Sequence, residues 1–543
     1  MTGRRSATRD GRKWPSVHPA RPSFALILAV LTGAQLMIWI DNTILIVAVQ
    51  VLSDPAAGLA ATPEQLEWSI SAYTLAFAAL MLTGGSLADR FGCRSVLVVG
   101  MVIFAAASGW AAWSPTATSL IAARAVMGVG SAMVVPATLA MIRRLFDGKQ
   151  RAVAVTVWSA SGGLAIAAGP LLGGFLLERF RWGSVFLVNI PVILLVLLLV
   201  PFSIPKLGSV DRRPIDAWGL LLSAAALSAL VYGVIEAGRT GDWMDLHALI
   251  PMVTGLVLMG IFVLVELRIR NASFDLHLFG NLPFAAAGVG IGLAFFGLTG
   301  SMFYSVLYLQ GARGLTPWEC GVALAPVAVG VLIGAPVGGA VARRLGIRGV
   351  ASFALVVVAA TLAGYALLDL DTHLWRYGGL LFVQGLAIGT AITPLTGVVV
   401  DVVSDARAAG GSALNAVLRQ VGSVFGVAIL GSLLTAGYRD RIAASAAPLP
   451  EAANEAVRES PTAGRIVADT LSLPKLRIAV DDAFLTSMHS VTLIAAAVCF
   501  AGAVAVFAGI PWSPKGADQP PEGPTDDHAD TPVVPIHDGP RRS

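Results

Sequence analysis

The chain has 543 residues, 56% of them hydrophobic and 13% charged, with a formal net charge of +4. Soluble domains carry roughly 25% charged residues, so this composition excludes a string of soluble domains, and so small a net charge leaves no footprint for nucleic acid. What remains is an all-α polytopic membrane protein.

After an arginine-containing N-terminal tail, 1–22, the first apolar run covers 23–51. It is too long for the apolar core of a signal peptide and reads as a first span. Further runs follow at 67–88, 95–113, 118–141, 152–177, 184–203, 215–236, 246–266, 282–308, 319–341, 349–368, 377–400, 409–436 and 487–510. Each is long enough to cross a hydrocarbon core of ~30 Å at ~1.5 Å per residue. The expectation is therefore 14 transmembrane helices. An even number puts both termini on one side of the membrane. Most of the 37 Lys and Arg residues then fall on the side of the termini. Basic loops stay in the cytoplasm, so both termini are expected there, in a multi-pass protein of the cell membrane. A mixed-charge loop at about 437–486 lies outside. The tail, 511–543, is rich in Pro, Gly and Asp, a composition of disordered segments.

Two inner loops are related. "GSLADRFGCR" (85–94) and "GAVARRLGIR" (339–348) share five of ten positions at an offset of 254 residues. Composition alone could make two short basic loops alike, but it does not place glycines at the same offsets. Residues 23–203 and 282–510 would then be two six-helix bundles, with two inserted helices in 204–281. Parallel halves related by an axis along the membrane normal suit a rocking transporter with its site between them.

Several motifs place chemistry inside this apolar frame. "MIWIDNTILIVAV" (37–49) buries Asp41 deep in the first span. A carboxylate there is costly to ionise unless water or a cation is near, so it can take and release a proton. "RAVMGVGSAMVVP" puts Arg124 in the fourth span, where an arginine costs roughly 2.5–3.5 kcal/mol and usually faces a partner or a cavity. Snorkelling to the interface is the plain alternative. "LAIAAGPLLGGF" gathers Gly169, Pro170, Gly173 and Gly174 in the fifth span. Small residues allow close helix contact and proline bends the helix, although such patterns also serve ordinary packing.

From about Phe24 to Ile510 the sequence resembles the major facilitator superfamily, in its fourteen-span drug:proton antiporter branch. The resemblance rests on the 85–94 loop, the span-1 and span-4 motifs, and Gly-Pro-x-x-Gly-Gly in span 5. It is supported by "WSISAYTLAFAALM", "RWGSVFLVNIP" and "SALNAVLRQVGSVFGVAIL". It implies proton-coupled efflux of amphiphilic small molecules such as drugs or antibiotics, by alternating access. Asp41 and Arg124 would couple to protons, with the substrate competing for Asp41. Gly85, Asp89, Arg90, Gly92 and Arg94 would form a conformational latch. Gly169, Pro170, Gly173 and Gly174 would form the antiporter motif. Thr43, Trp68, Tyr73, Asn415, Arg419 and Gln420 would line the substrate cavity, with snorkelling an open alternative for Arg419. This chain departs from the pattern at Ile46, Gln50, Cys93 and Met127.

No phosphate-binding loop, H-E-x-x-H, Cys/His cluster or nucleophile elbow occurs. An ATP motor, a metal site and a membrane enzyme are therefore not expected. No cofactor is implied beyond the proton motive force. The partners implied are substrate, protons and the lipid bilayer, with the chain a monomer. A proton-coupled uptake symporter and a non-transporting sensor stay open as alternatives.

Overall fold

The computed structural model describes residues 23–205, 217–268, 276–401 and 408–512. The N-terminal half contains α1 (Phe24–Ser53), α2 (Pro63–Phe91), α3 (Cys93–Ala112), α4 (Ala117–Leu145) and α5 (Gly148–Arg179), closed by α6 (Ser184–Leu187) and α7 (Asn189–Ser203). Next come α8 (Ala217–Thr240) and α9 (Leu246–Arg268). The C-terminal half contains α10 (Leu282–Val306), α11 (Pro317–Leu345), α12 (Ile347–Gly364), α13 (Leu374–Asp401), α14 (Ala408–Ala446) and α17 (Pro474–Gly509). Two short helices, α15 (Glu451–Glu459) and α16 (Pro461–Thr470), interrupt that half. The N-terminal tail and the tail from 513 lie outside the described residues.

Helix is what a bilayer dictates, because it satisfies every backbone group within one segment. Among the described residues, 12 helices are long and apolar enough to cross a membrane. The two long helices that fall outside this set, α2 and α5, have 29 and 32 residues. Both lie where the halves meet, α2 against α14 and α5 against α11, and both carry an apolar run of spanning length, 70–87 in α2 and 160–177 in α5. By contrast α9 packs chiefly on α8 and presents Leu246, Ile250, Leu256 and Leu264 outward.

The internal repeat is visible in how helices begin and end. Thr62 caps α2 and Thr316 caps α11. Each is followed by proline and closes a reciprocal capping box, with Gln65 in one and Glu319 in the other. At the opposite ends, Gly92 and Gly346 turn the chain at φ 88° and 86°, a region that residues with a Cβ avoid. Both pairs are separated by the 254-residue offset of the loop motif. The inter-half contacts are symmetric too, α5 on α11 and α14 on α2.

The core is divided accordingly. One buried cluster fills the N-terminal half and a second the C-terminal half. They exchange a few side chains across the seam: Ile46 and Val47 join the second, and Phe303, Val417 and Val427 join the first. A third, smaller cluster joins α8 to α2 and α14 through Leu75, Leu227, Val231 and Val424.

The expected loop at about 437–486 is largely helical. Here α14 runs on to Ala446 and α17 starts at Pro474, with α15 and α16 between them. This cap sits at the far end of the bundle, away from the chain termini, and is fastened to both halves. Gln50 of α1 donates to Thr462 Oγ1 at 2.6 Å, Arg465 pairs with Asp481 at 2.6 Å, and Arg465 also donates to the Gly311 carbonyl at 2.8 Å.

Candidate functional site

Asp41 is fully buried and faces into the N-terminal half. Arg124 Nη1 donates to its Oδ2 at 2.6 Å, and Asn189 Nδ2 donates to its Oδ1 at 2.8 Å. Asn189 also donates to Ser108 Oγ at 3.1 Å. Arg124 is held further by the Ser69 carbonyl, 3.1 Å from Nε, and by the Tyr73 ring, 4.2 Å from Cζ. The Tyr73 hydroxyl reaches the Ile38 carbonyl at 3.3 Å and Ser131 Oγ at 2.9 Å. Five helices thus converge on one carboxylate: α1, α2, α3, α4 and α7. The corresponding polar network of the C-terminal half is neutral. There Tyr365 donates to Gln384 Oε1 at 3.0 Å and Gln384 donates to Ser301 at 3.1 Å.

On the other side of α1, a cavity of about 50 Å³ lies between the halves. Trp39, Asn42, Thr43 and Ile46 line it from α1, Pro170 from α5, Phe295 and Met302 from α10, and Arg419, Gln420 and Ser423 from α14. It has room for a few waters but not for a drug-sized solute, which takes ~300–1,000 Å³. The halves are shut at the far end. Gln310 Nε2 donates to the Val47 carbonyl at 3.0 Å across the seam, from a π-helical turn, Leu307–Ala312.

The glycines of span 5 divide their work. A Cβ on Gly169 would sit 1.9 Å from Thr43 Oγ1, and one on Gly173 would sit 2.9 Å from Ile44 Cγ1, so these two press α5 onto α1. A Cβ on Gly174 would sit 2.5 Å from the Pro317 carbonyl oxygen, and one on Gly321 would sit 2.4 Å from that of Pro170. Gly174 and Pro170 therefore meet α11 of the other half. Thr43 Oγ1 lies 3.0 Å from the Ala165 carbonyl oxygen, tying α1 to α5 beside the cavity wall.

Several expectations change on this geometry. Asp41 does not line the cavity between the halves, so a substrate there cannot compete for it by contact. Trp68 and Tyr73 do not line it either. Trp68 packs on Tyr232 of α8, with ring centroids 6.3 Å apart, and Tyr73 is buried over Arg124. Within the latch loop, Arg94 Nη1 donates to the Ile204 carbonyl at 2.9 Å, inside its own half, and Arg90 lies over Phe91 at 5.5 Å. Gly92 makes the turn, whereas a Cβ on Gly85 would meet only Pro136, at 3.8 Å. The side chains of Asp89 and Asn415 lie outside the described residues.

Two residues were not anticipated. Asn189 lies in "RWGSVFLVNIP", two residues before Pro191, and nothing in that stretch marks it as the residue that holds Asp41. Glu67 of α2 is 2% exposed at the far-end seam, where it accepts a hydrogen bond from Ser432 of α14 at 3.3 Å. In sequence it stands close to Glu64 and Gln65 in the polar opening turns of α2, where an exposed acid is ordinary.

Two helical bundles that meet across a small cavity closed at its far end, with a charge pair behind its wall, define a membrane transporter and not an enzyme. The chain belongs to the Major Facilitator Superfamily, whose profile matches residues 31–427. It is 34% identical over 479 residues to the methyl viologen resistance protein SmvA of Salmonella typhimurium, covering 87% of this chain and 95% of that one. It is 32% identical over 485 residues to the multidrug efflux pump LfrA of Mycolicibacterium smegmatis, covering 88% and 95%. The tetracenomycin C resistance and export protein of Streptomyces glaucescens is 30% identical over 432 residues, 79% of this chain and 77% of that one. Among solved structures, a bacterial homolog of the human lysosomal transporter Spinster, inward-facing and unoccupied, superposes with a TM-score of 0.64 at 18% identity. It covers 90% of this chain and 99% of that one.

Proposed function

We propose that this chain is a proton-driven exporter of amphiphilic small molecules, working by alternating access as a fourteen-span antiporter. Both termini lie in the cytoplasm and the far end faces outside, as the distribution of basic residues favours. In this reading α2 and α5 cross the membrane beside those twelve helices. No cofactor takes part. The proton gradient drives the cycle, and the chain acts as a monomer in the bilayer.

One observation carries the proposal. A single helix, α1, presents Asp41 to Arg124 on one side and Trp39, Thr43 and Ile46 to the inter-half cavity on the other. Proton and substrate therefore act on opposite faces of one rigid element. A proton on Asp41 cancels its attraction for Arg124. That frees α1 to shift against α4, and with α1 moves the wall of the substrate cavity. Coupling is then mechanical and needs no contact between the two ligands. The names of the relatives, which describe resistance, efflux and export, favour outward transport, and Gly174 and Pro170 supply a close seam that must part on the outer side.

The test is transport by purified protein in vesicles. With an acidic exterior relative to the original cytoplasmic face, dyes and antibiotics should move outward against their gradient, and an uncoupler should stop them. Uphill movement unaffected by the uncoupler, or inward accumulation with protons, would overturn the reading.

A further inference from the structure

The cavity between the halves has a lopsided chemistry. Arg419 is the one charged side chain among its described lining residues. No described carboxylate pairs with it, and its Nε is buried without an acceptor. The charge is instead flanked by two rings, Trp39 of the N-terminal half at 4.9 Å and Phe295 of the C-terminal half at 4.3 Å. Snorkelling does not explain this placement. Arg419 lies eleven residues past the start of α14 at Ala408, about 16 Å along the axis, and the rings hold it at the cavity. The other polar groups there are neutral: the amides of Asn42 and Gln420 and the hydroxyls of Thr43, Thr299 and Ser423. Trp39 Nε1 and Gln420 Nε2 are also buried without acceptors, whereas the Ser423 hydroxyl is already engaged by Thr299 at 3.0 Å. The nearest described carboxylate on α1, Asp41, faces the other way and is committed to Arg124 and Asn189.

A cavity of this kind has positive charge and N–H groups to satisfy and flat apolar walls to cover. We propose that the exported amphiphile carries an anionic or strongly accepting oxygen group, such as a carboxylate, sulfonate, phenolate or enolised diketone. That group docks on the Arg419 guanidinium while the planar apolar part stacks on Trp39 and Phe295. A guanidinium presents five N–H donors and no acceptor, so it holds an oxyanion by charge-assisted hydrogen bonds. An organic dication meets like charge at the same place and is excluded. This inference deepens the exporter reading by giving its substrate class.

Two probes that share a skeleton isolate the effect. 1-Anilinonaphthalene-8-sulfonate carries a sulfonate that N-phenyl-1-naphthylamine lacks. Equilibrium binding of both is measured on the full chain in lipid nanodiscs, against empty nanodiscs, with tetraphenylphosphonium as the cationic control. The wild type should prefer the sulfonate by about tenfold or more, the scale of one charged hydrogen bond. Arg419→Gln should remove that preference while leaving the neutral probe bound, and Arg419→Lys should restore part of it. Retained binding of the neutral probe also shows that the variant is folded. Equal binding of the two naphthalenes by wild type, an unchanged preference in Arg419→Gln, or tighter binding of the phosphonium would each overturn the assignment. Binding is read without a gradient, so the two proposals fail separately. A protein that prefers the sulfonate but does not use protons defeats only the coupling. One that exports with protons but ignores the sulfonate defeats only the substrate class.

Discussion

Asp41→Asn should abolish uphill efflux, by about 100-fold or more, while the protein still inserts and exchanges substrate down its gradient. Asparagine keeps the shape and a hydrogen bond to Asn189 but takes no proton. Arg124 loses its counter-ion and keeps the Ser69 carbonyl and the Tyr73 ring. Removing one partner of a buried pair costs about 3–5 kcal/mol, because the survivor is left uncompensated. The single variant should therefore also unfold more readily. A second variant separates the two effects. Asp41→Asn with Arg124→Gln removes both charges, so it should recover stability and not proton-driven transport. Vesicle transport and thermal unfolding in detergent read the two outcomes. If the double variant regains uphill efflux, or the single variant never loses it, the pair is a structural bridge only.

Gly174→Leu should leave the transporter unable to close its outer seam and stop net efflux. The clash is with backbone, since even a Cβ at Gly174 comes within 2.5 Å of the Pro317 oxygen and 2.9 Å of the Trp318 Cα. Backbone cannot swing aside as a side chain does, so α5 and α11 must stay apart. Cys320 reports this directly. It is fully buried at the start of α11, beside the Gly321–Pro170 contact. An impermeant thiol reagent added outside should miss it in wild type and modify it in the variant. Gly169→Leu is the contrast, because its clash is with Thr43 inside one half. That change should lower the yield of folded protein without exposing Cys320. Full transport by Gly174→Leu would show that the seam does not need to shut.

The halves, the repeat and the presence of two buried charges, Asp41 and Arg124, were legible because each rests on a signal that stands out in an apolar sequence: a charge, a glycine at a fixed offset, or a run of set length; that the two charges meet was not. The repeat was more legible than the loop motif alone suggested. "TPEQ" and "TPWE", 62–65 and 316–319, start the two equivalent helices and carry their capping boxes in plain view. What could not be read was which way a side chain points. A membrane helix is apolar on all sides, so the periodicity that marks the inner face of a soluble helix is weak. That is why Trp68 and Tyr73 looked like cavity residues, although one faces α8 and the other the buried arginine. The same blindness hid Asn189 and the meeting of Glu67 with Ser432. Gln50 illustrates the reverse case. It stands where the family pattern has proline, and its role as a tether to Thr462 depends on a cap more than 400 residues away in sequence.

The two seams between the halves are not alike. At one, α8 leans on both α2 and α14, with α9 behind it, so two extra helices screen that junction from the hydrocarbon. At the other, α5 and α11 meet with no such cover among the described residues. The molecule therefore has a covered side and a bare side. The bare side is the one where the backbones come closest, at Gly174 against Pro317 and Gly321 against Pro170. The inserted pair thus gives a nearly two-fold machine a direction within the plane of the membrane.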